Sequence, residues 1–336
     1  MRRPALSVTG LVLALALPLT ACGAADAEGT TSEPTTSADP AFPRTVEHAM
    51  GSTEIPERPE RVVVLDTGEL DTVLALGVVP VGAVTTDASD DFLSYLADDA
   101  ADVQPVGTVP EPDLEAIAAL QPDLILSNKT RHEAIYAQLS QIAPTVFAER
   151  VGVVWKENFL LDAEALGLEA RAQASLDEYE ASAAALGEEL GDPAGTTISA
   201  LRFVEGTVRV YTGQSFIGTV LADIGLAQLE LPTGQSPTFA ELAAEEVTQA
   251  DADIVLYSSF GPADASGEDA VVAEPLWSRL GAVADGRAHA VERTTSSTPA
   301  SACGRRGSSS RSSASCWSTE GGPSVRQGSP VRASRC

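Results

Sequence analysis

The segment DLEAIAALQPDLIL at residues 113–126 is echoed by AAEEVTQADADIVL at residues 243–256. In each copy a Glu (Glu115, Glu245) lies eight residues before an Asp (Asp123, Asp253) that opens an apolar, strand-prone run. A short helix feeding a buried parallel strand accounts for both copies. Two copies 130 residues apart predict two α/β lobes of similar build, with a Glu at equivalent positions of each. The space between two such lobes is where a ligand belongs.

The N-terminus points to a compartment. Arg2 and Arg3 precede an apolar run, Leu11 to Leu19, that is too short to span a bilayer as a helix. It ends in Leu19-Thr20-Ala21-Cys22, which resembles the lipobox of bacterial lipoproteins. That resemblance implies cleavage of residues 1–21 and acylation of Cys22, tethering the chain to the outer face of a membrane; an ordinary secretory signal with a chance Cys is the alternative. Residues 22–44 follow as a linker rich in Thr, Ser, Ala, Glu and Pro.

Of four cysteines, Cys22 is the lipid site and Cys303, Cys316 and Cys336 lie in an unusual tail, so the body has none for a disulfide. Net charge is −27. Residues 294–336 contribute six Arg and one Glu, leaving 15 basic against 47 acidic residues elsewhere. A nucleic-acid partner needs a basic face and is excluded on that ground.

The first lobe is expected over 45–155. Arg61-Val-Val-Val-Leu-Asp66 reads as a buried strand, and Thr67-Gly-Glu69 introduces a helix that Gly77 stops. Strands follow at 78–84, 124–127 and 145–148, with helices at 112–120 and about 132–141. From Lys156 to Leu190 an apolar residue recurs every three or four positions, predicting one helix of about 50 Å over 156–191 that bridges the lobes. The second lobe, 192–293, begins with strands at 197–204 and 208–212 and a helix at 216–223. Alternating strands and short helices predict mostly parallel sheets, with function at the strand C-terminal ends.

Three stretches of the chain carry a family resemblance: ERPERVVVLDTGELDTVLALGVVPVGAV, VGTVPEPDLEAIAALQPDLILSNKTRHEAIYAQLSQIAPTVF and WKENFLLDAEALG. A fourth, TISALRFVEGTVRVYTGQSFIGTVLADIGL, extends it into the second lobe. In their order and spacing these resemble the substrate-binding lipoproteins of iron–siderophore ABC importers, over roughly residues 57–292. The resemblance implies the class III solute-binding fold: two Rossmann-like α/β lobes joined by one long helix. It implies a monomer that performs no covalent chemistry and has no cofactor of its own. It takes a ferric siderophore, with iron entering only inside the chelate, and hands it to a membrane permease. Cobalamin or haem binders on the same fold are the alternative.

The resemblance also implies roles for residues. Glu115 and Glu245 fall on the positions that dock onto permease arginines, with Glu246 a neighbouring candidate; each is otherwise a plain surface carboxylate. Arg131, Trp155, Arg202, Tyr211 and Phe216 are the ligand candidates. A guanidinium donates to the oxygens around ferric iron, and aromatic rings cover apolar linkers. Arg202 sits in an apolar strand, where a lone charge is costly, so it either meets a ligand or belongs to a buried ion pair. Trp155 and Tyr211 are equally consistent with core packing, and Lys129 and His132 with solvated loop positions. The scarcity of basic residues favours a hydroxamate chelate, close to neutral, over a strongly anionic catecholate.

Other chemistries find little support. His48, His132 and His289 are the only histidines and are far apart, which does not suit a His-rich metal site. Gly213-Gln-Ser-Phe-Ile-Gly218 is not a nucleophile elbow, and Ser215 reads as a helix cap. A surface enzyme using cleft carboxylates is the different-class alternative.

Residues 294–336 depart from the family, which continues into a further helix. They hold 13 Ser, six Arg and three Cys with no helical period, and are expected to be disordered. Reverse-translated and read in a shifted frame, Ala302 to Ser310 permits Leu-Arg-Ala-Ala-Arg-Leu-Val-Leu, so a frameshift near codon 293 accounts for the departure; a natural disordered tail is the alternative.

Overall fold

The computed structural model describes residues 42–86, 91–234, 236–260 and 263–291. The expectations for the signal segment, Cys22, most of the linker and the tail at 294–336 lie outside the described residues.

An element not expected from the sequence comes first. Strands β1 (Arg44–His48) and β2 (Gly51–Ile55) form an antiparallel hairpin, with Arg44 opposite Ile55 and His48 opposite Gly51. Val46 and Ile55 turn into the core while their Glu neighbours face out, the ordinary period-2 pattern.

The first lobe is a five-stranded parallel sheet of order β5-β4-β3-β6-β7: β3 (Val62–Val64), β4 (Gly82–Thr85), β5 (Gln104–Thr108), β6 (Leu124–Asn128) and β7 (Thr145–Ala148). The central strands are buried on both faces, which is why they read as continuous Val, Leu and Ile. Helix α1 (Thr67–Ala75) is N-capped by the Asp66 carboxylate, and α2 (Leu114–Ala119) by that of Asp113. The single helix expected near 132–141 is instead α3 (Lys129–His132), a 3₁₀ turn and α4 (Tyr136–Leu139). The chain builds outward from β3 through β5, then returns to the other side of β3 with β6. The connections of the neighbouring strands β3 and β6 therefore diverge, the arrangement that in open α/β sheets places a ligand at the strand C-terminal ends.

The bridge is not one helix. It divides into α5 (Trp155–Leu166) and α6 (Glu169–Leu190). Gly167 adopts the left-handed conformation at φ 68°, and the Leu168 N–H bonds back to the Ala163 carbonyl at 2.8 Å, closing α5 with a Schellman-type turn. The apolar stripe runs through this turn unbroken, so periodicity alone does not register it. Helix α6, about 33 Å long, is the true bridge. Ala172 and Leu176 in its first half join the first-lobe core. In its second half Gly187 lets α6 approach α7 (Phe216–Ile224): a Cβ there would lie 2.4 Å from the Ile224 carbonyl oxygen.

The second lobe has a mixed sheet of order β11-β9-β8-β12-β13. It contains β8 (Thr197–Val204), β9 (Thr207–Tyr211), β10 (Ala227–Gln228) pairing the start of β8, β11 (Phe239–Leu242), β12 (Ile254–Ser259) and β13 (Ala288–Ala290). Strands β10, β12 and β13 are parallel to their neighbours, whereas β9 and β11 run antiparallel. One face buries Phe203, Val208, Val255 and Trp277, under connections that include α8 (Ala263–Ser266), α9 (Glu268–Ala273) and α10 (Gly281–Ala284). The other packs Ile198 and Ala200 against Leu221 of α7. Here β8 and β12 are the strands whose connections leave in opposite directions. In the second copy of the repeat, the expected helix before β12 is a 3₁₀ helix, Ala244–Ala250.

Candidate functional site

The C-terminal ends of β3 and β6 carry a polar tier built beneath Arg131. Asp66 lies two residues past β3, and besides capping α1 its Oδ2 accepts from Asn128 Nδ2 at 3.0 Å and from Arg131 Nε at 3.2 Å. Asn128 is fully buried at the end of β6. It also donates to Glu69 Oε1 at 3.2 Å, while its Oδ1 accepts the Arg131 backbone N–H at 3.1 Å, capping α3. Arg131 is thus fixed at its backbone and at its guanidinium, yet its side chain remains 47% exposed. It is held and still presented.

Below it lie Glu69 and Asp162, only 3% and 1% exposed. Burial, and secondarily the Asp66 charge, push the Glu69 carboxyl up to about 8. Burial and Glu69 push Asp162 well above the usual carboxylate range. Neither sequence position announces this, since the pair is assembled by packing α5 against α1.

His132 is buried rather than solvated. Its ring bonds Ser127 Oγ and the Val109 carbonyl, each at 2.7 Å, and burial lowers its pKa. Lys129 reaches Glu149 at 3.3 Å, so it too is engaged. A depression of about 530 Å³ lies beyond β7, lined in part by Glu149, Arg150, Val154 and Asn158.

In the second lobe Arg202, near the C-terminal end of β8, lies opposite Arg209 of β9 and opposite Ser258 of β12. Its guanidinium stands 5.6 Å from the Tyr211 ring centroid, and Tyr211 meets Phe239 edge-on at 6.3 Å. Arg209 stacks 4.5 Å above Phe239 and pairs with Glu241 at 3.4 Å. Two arginines and two rings therefore share one half-buried patch. Arg209 and Phe239 escaped the sequence reading, although the Val-Arg-Val-Tyr alternation at 208–211 places Arg209 on the same face as Tyr211. A second depression, about 460 Å³, opens past β9 between Thr212–Gln214 and Gln228–Leu231. Neither depression is lined by Arg131 or Arg202.

Trp155 and Phe216 come together at the junction of the lobes. Their rings meet at 5.5 Å, Trp155 Nε1 donates to Thr219 Oγ1 at 2.9 Å, and Tyr179 of α6 stacks edge-on against Trp155 at 5.1 Å. Lys156 reaches Asp223 and Glu180, both at 3.1 Å, and the Tyr179 hydroxyl donates to Asp223. Glu115 and Glu245 are both exposed, each in the first turn of its helix. Glu246 accepts the Ala243 N–H at 3.2 Å and so helps cap its own helix.

A family description of periplasmic binding proteins matches residues 62–290. The chain belongs to that family. Among curated relatives it is similar to the probable siderophore-binding lipoprotein YfiY of Bacillus subtilis, 40% identical over 261 residues, 74% of this chain and 80% of the relative. The Fe(3+)-citrate-binding protein YfmC of Bacillus subtilis is 30% identical over 259 residues, 75% of this chain and 79% of the relative. Among solved structures, Staphylococcus aureus SirA complexed with staphyloferrin B superposes with a TM-score of 0.64 at 31% identity, covering 73% of this chain and 88% of that one. The two-lobed fold with parallel-rich sheets is the fold of this family.

Proposed function

We propose that this binding protein is the extracytoplasmic receptor of an ABC importer and captures a ferric siderophore between its lobes. The observation that carries this reading is the placement of Arg131 and Arg202. Each sits where its sheet's connections diverge, at β3/β6 and at β8/β12, which is where open α/β sheets bind ligands. The siderophore and ferric-citrate ligands named for the relatives support the same class of cargo. Arg131 and Arg202 donate to the oxygens around the iron, and Tyr211 covers the apolar part of the chelate. Trp155 and Phe216 contribute from the junction. The iron stays inside its chelate, and the protein acts as a monomer without chemistry or cofactor of its own. Cys22 supplies the lipid anchor on the outer face, and Glu115 and Glu245 dock onto the permease.

Hydroxamate chelates are favoured because the cationic groups at the strand ends are largely matched: Lys129 by Glu149, Arg131 by Asp66, Arg209 by Glu241. A citrate-type chelate is the second reading, favoured by the ferric-citrate relative. Equilibrium binding of ⁵⁵Fe-labelled ferrioxamine, ferric citrate and a ferric tris-catecholate separates these. Saturable binding of the first, weakened about tenfold or more in Arg131→Ala and Arg202→Ala, is the expected result. Absence of binding to every iron chelate overturns the reading. Reversing the charge of Glu115 and Glu245 is expected to abolish cellular uptake while leaving chelate affinity unchanged.

A further inference from the structure

The tier under Arg131 contains more carboxyls than its one guanidinium can match. Asp66, Glu69 and Asp162 converge there, and Glu69 Oε2 and Asp162 Oδ1 are both buried without a hydrogen-bond partner among the described residues. Two buried carboxylates side by side, each ionised and each with an oxygen left without a partner, are not sustainable, because both lack solvent and a countercharge. Asn128 offers Glu69 one N–H, and its other amide donor bond goes to Asp66. From the remaining surroundings, Asp71 in α1 accepts from Tyr95 and is committed elsewhere. His132, on the far side of Asn128, is bonded at both ring nitrogens and has its pKa lowered by burial, so it supplies no cation. Arg131 is the remaining positive group acting on Glu69, and it is already paired with Asp66. A proton on each of the two carboxyls is what completes this arrangement.

We propose that Glu69 and Asp162 are positioning residues for Arg131: the protons they hold, one on each carboxyl, keep the floor of the Asp66–Arg131 pair uncharged, and loss of the Glu69 proton to solvent draws the Arg131 field inward, away from an anionic ligand. The proposal rests on the reading of Arg131 as a ligand group. The consequence is a receptor whose grip on anionic chelates loosens in alkaline medium through a site that touches no ligand. Arg131 responds because it is tied to Asn128 and Asp66, which form the roof over Glu69.

The test has two parts on the full-length protein. Without ligand, carbon-detected NMR follows the Glu69 ¹³Cδ and Arg131 ¹³Cζ resonances from pH 6 to 10. Both are expected to move together on the alkaline side of neutrality, and the Arg131 shift is expected to vanish in Glu69→Gln, an isosteric variant that cannot ionise. An Arg131 resonance that stays still in the native protein, or moves equally in the variant, overturns the proposal whatever the ligand proves to be. With ferric citrate as the anionic probe, affinities of native protein and Glu69→Gln are compared at the same pH, so that the chelate's own speciation cancels. Their ratio is expected to be near one at pH 7 and to reach about tenfold in the variant's favour at pH 9. A ratio that is constant across pH overturns the proposal. Failure of both proteins to bind any iron chelate at pH 7 instead overturns the functional reading, and the ligand-free titration still decides this one.

Discussion

The two copies of the repeated segment do the same structural work in different ways. In the first lobe Asp123 accepts the backbone N–H groups of Glu60 and Arg61, at 2.8–3.0 Å, fastening the entry to β3 beside β6. In the second, Asp253 accepts the backbone N–H and the hydroxyl of Thr197, fastening the start of β8 beside β12. The carboxylate that opens each copy's strand thus ties it to the first strand of its own sheet. Around that shared tie the lobes diverge. The first has a side-chain-capped α-helix, an all-parallel sheet and a buried polar tier beneath its arginine. The second has a 3₁₀ helix and a partly antiparallel sheet, with the Arg202 guanidinium 5.6 Å from the centroid of the Tyr211 ring. One lobe ties its cation to a buried carboxylate, Asp66, and the other sets its cation beside an aromatic ring, that of Tyr211.

The largest expected consequence of that difference is in pH dependence. The Glu69 carboxyl is raised from 4.5 to about 8 in the folded state, so folding favours its protonated form. That contribution is complete below about pH 4.5 and is lost as pH climbs to about 8. Glu69→Gln is therefore expected to gain on the order of a few kcal/mol over the native protein at pH 8, and much less at pH 4.5, by urea denaturation. Equal gains at both pH values would show that Glu69 ionises normally.

Next in size is a steric break in the second lobe. A Cβ at Gly218, in the first turn of α7, would lie 2.0 Å from the Thr212 carbonyl oxygen and 2.7 Å from the Gly213 Cα. Backbone cannot yield as a side chain does. Gly218→Ala is expected to cost about 3 kcal/mol and to disturb the α7 side of the second lobe while the first lobe keeps its hydrogen-exchange protection.

The shared tie gives a smaller, matched pair. Asp123→Ala is expected to cost about 1–2 kcal/mol, through lost charge-assisted bonds to two backbone donors. Asp253→Ala is expected to lower the denaturation midpoint less. The Thr197 hydroxyl and N–H hold the Asp253 carboxyl below the usual carboxylate range. Its contribution is present above the ordinary carboxylate pKa and disappears as pH falls through the depressed one, so the variant's deficit should vanish in acid. A deficit that persists there would assign the effect to packing. Smallest of all, Trp155→Phe removes the bond to Thr219 across the junction and is expected to cost about 1 kcal/mol by the same assay.

The sequence was most legible where periodicity carries the information. Strands β3, β6, β8 and β9 are apolar or alternating runs, and the eight-residue Glu-to-Asp spacing marked the two strand-opening Asp residues, though not the ties they make. Arg131 and Arg202 were legible as charges beside strand ends. What escaped was set by single residues or by distant contacts. Gly167 breaks the bridge through the sign of one φ angle, which an uninterrupted stripe hides. The β1–β2 hairpin is short and mostly polar, so its two buried residues, Val46 and Ile55, give little pattern. Glu69 and Asp162 look like helix-surface carboxylates, and only the docking of α5 on α1 makes them buried neighbours. His132 looked like a loop residue because its partners, Ser127 and Val109, come from two different places in the chain.

The central claim is that an arginine from each lobe, at the divergence of its sheet, holds the same iron chelate. Isothermal titration of the double variant Arg131→Ala/Arg202→Ala, beside each single variant and the native protein, tests it with whichever ⁵⁵Fe-chelate binds. Both arginines on one ligand predict a loss from each single change and a larger loss from the pair, with one binding site throughout. An affinity that neither arginine alters would contradict the account.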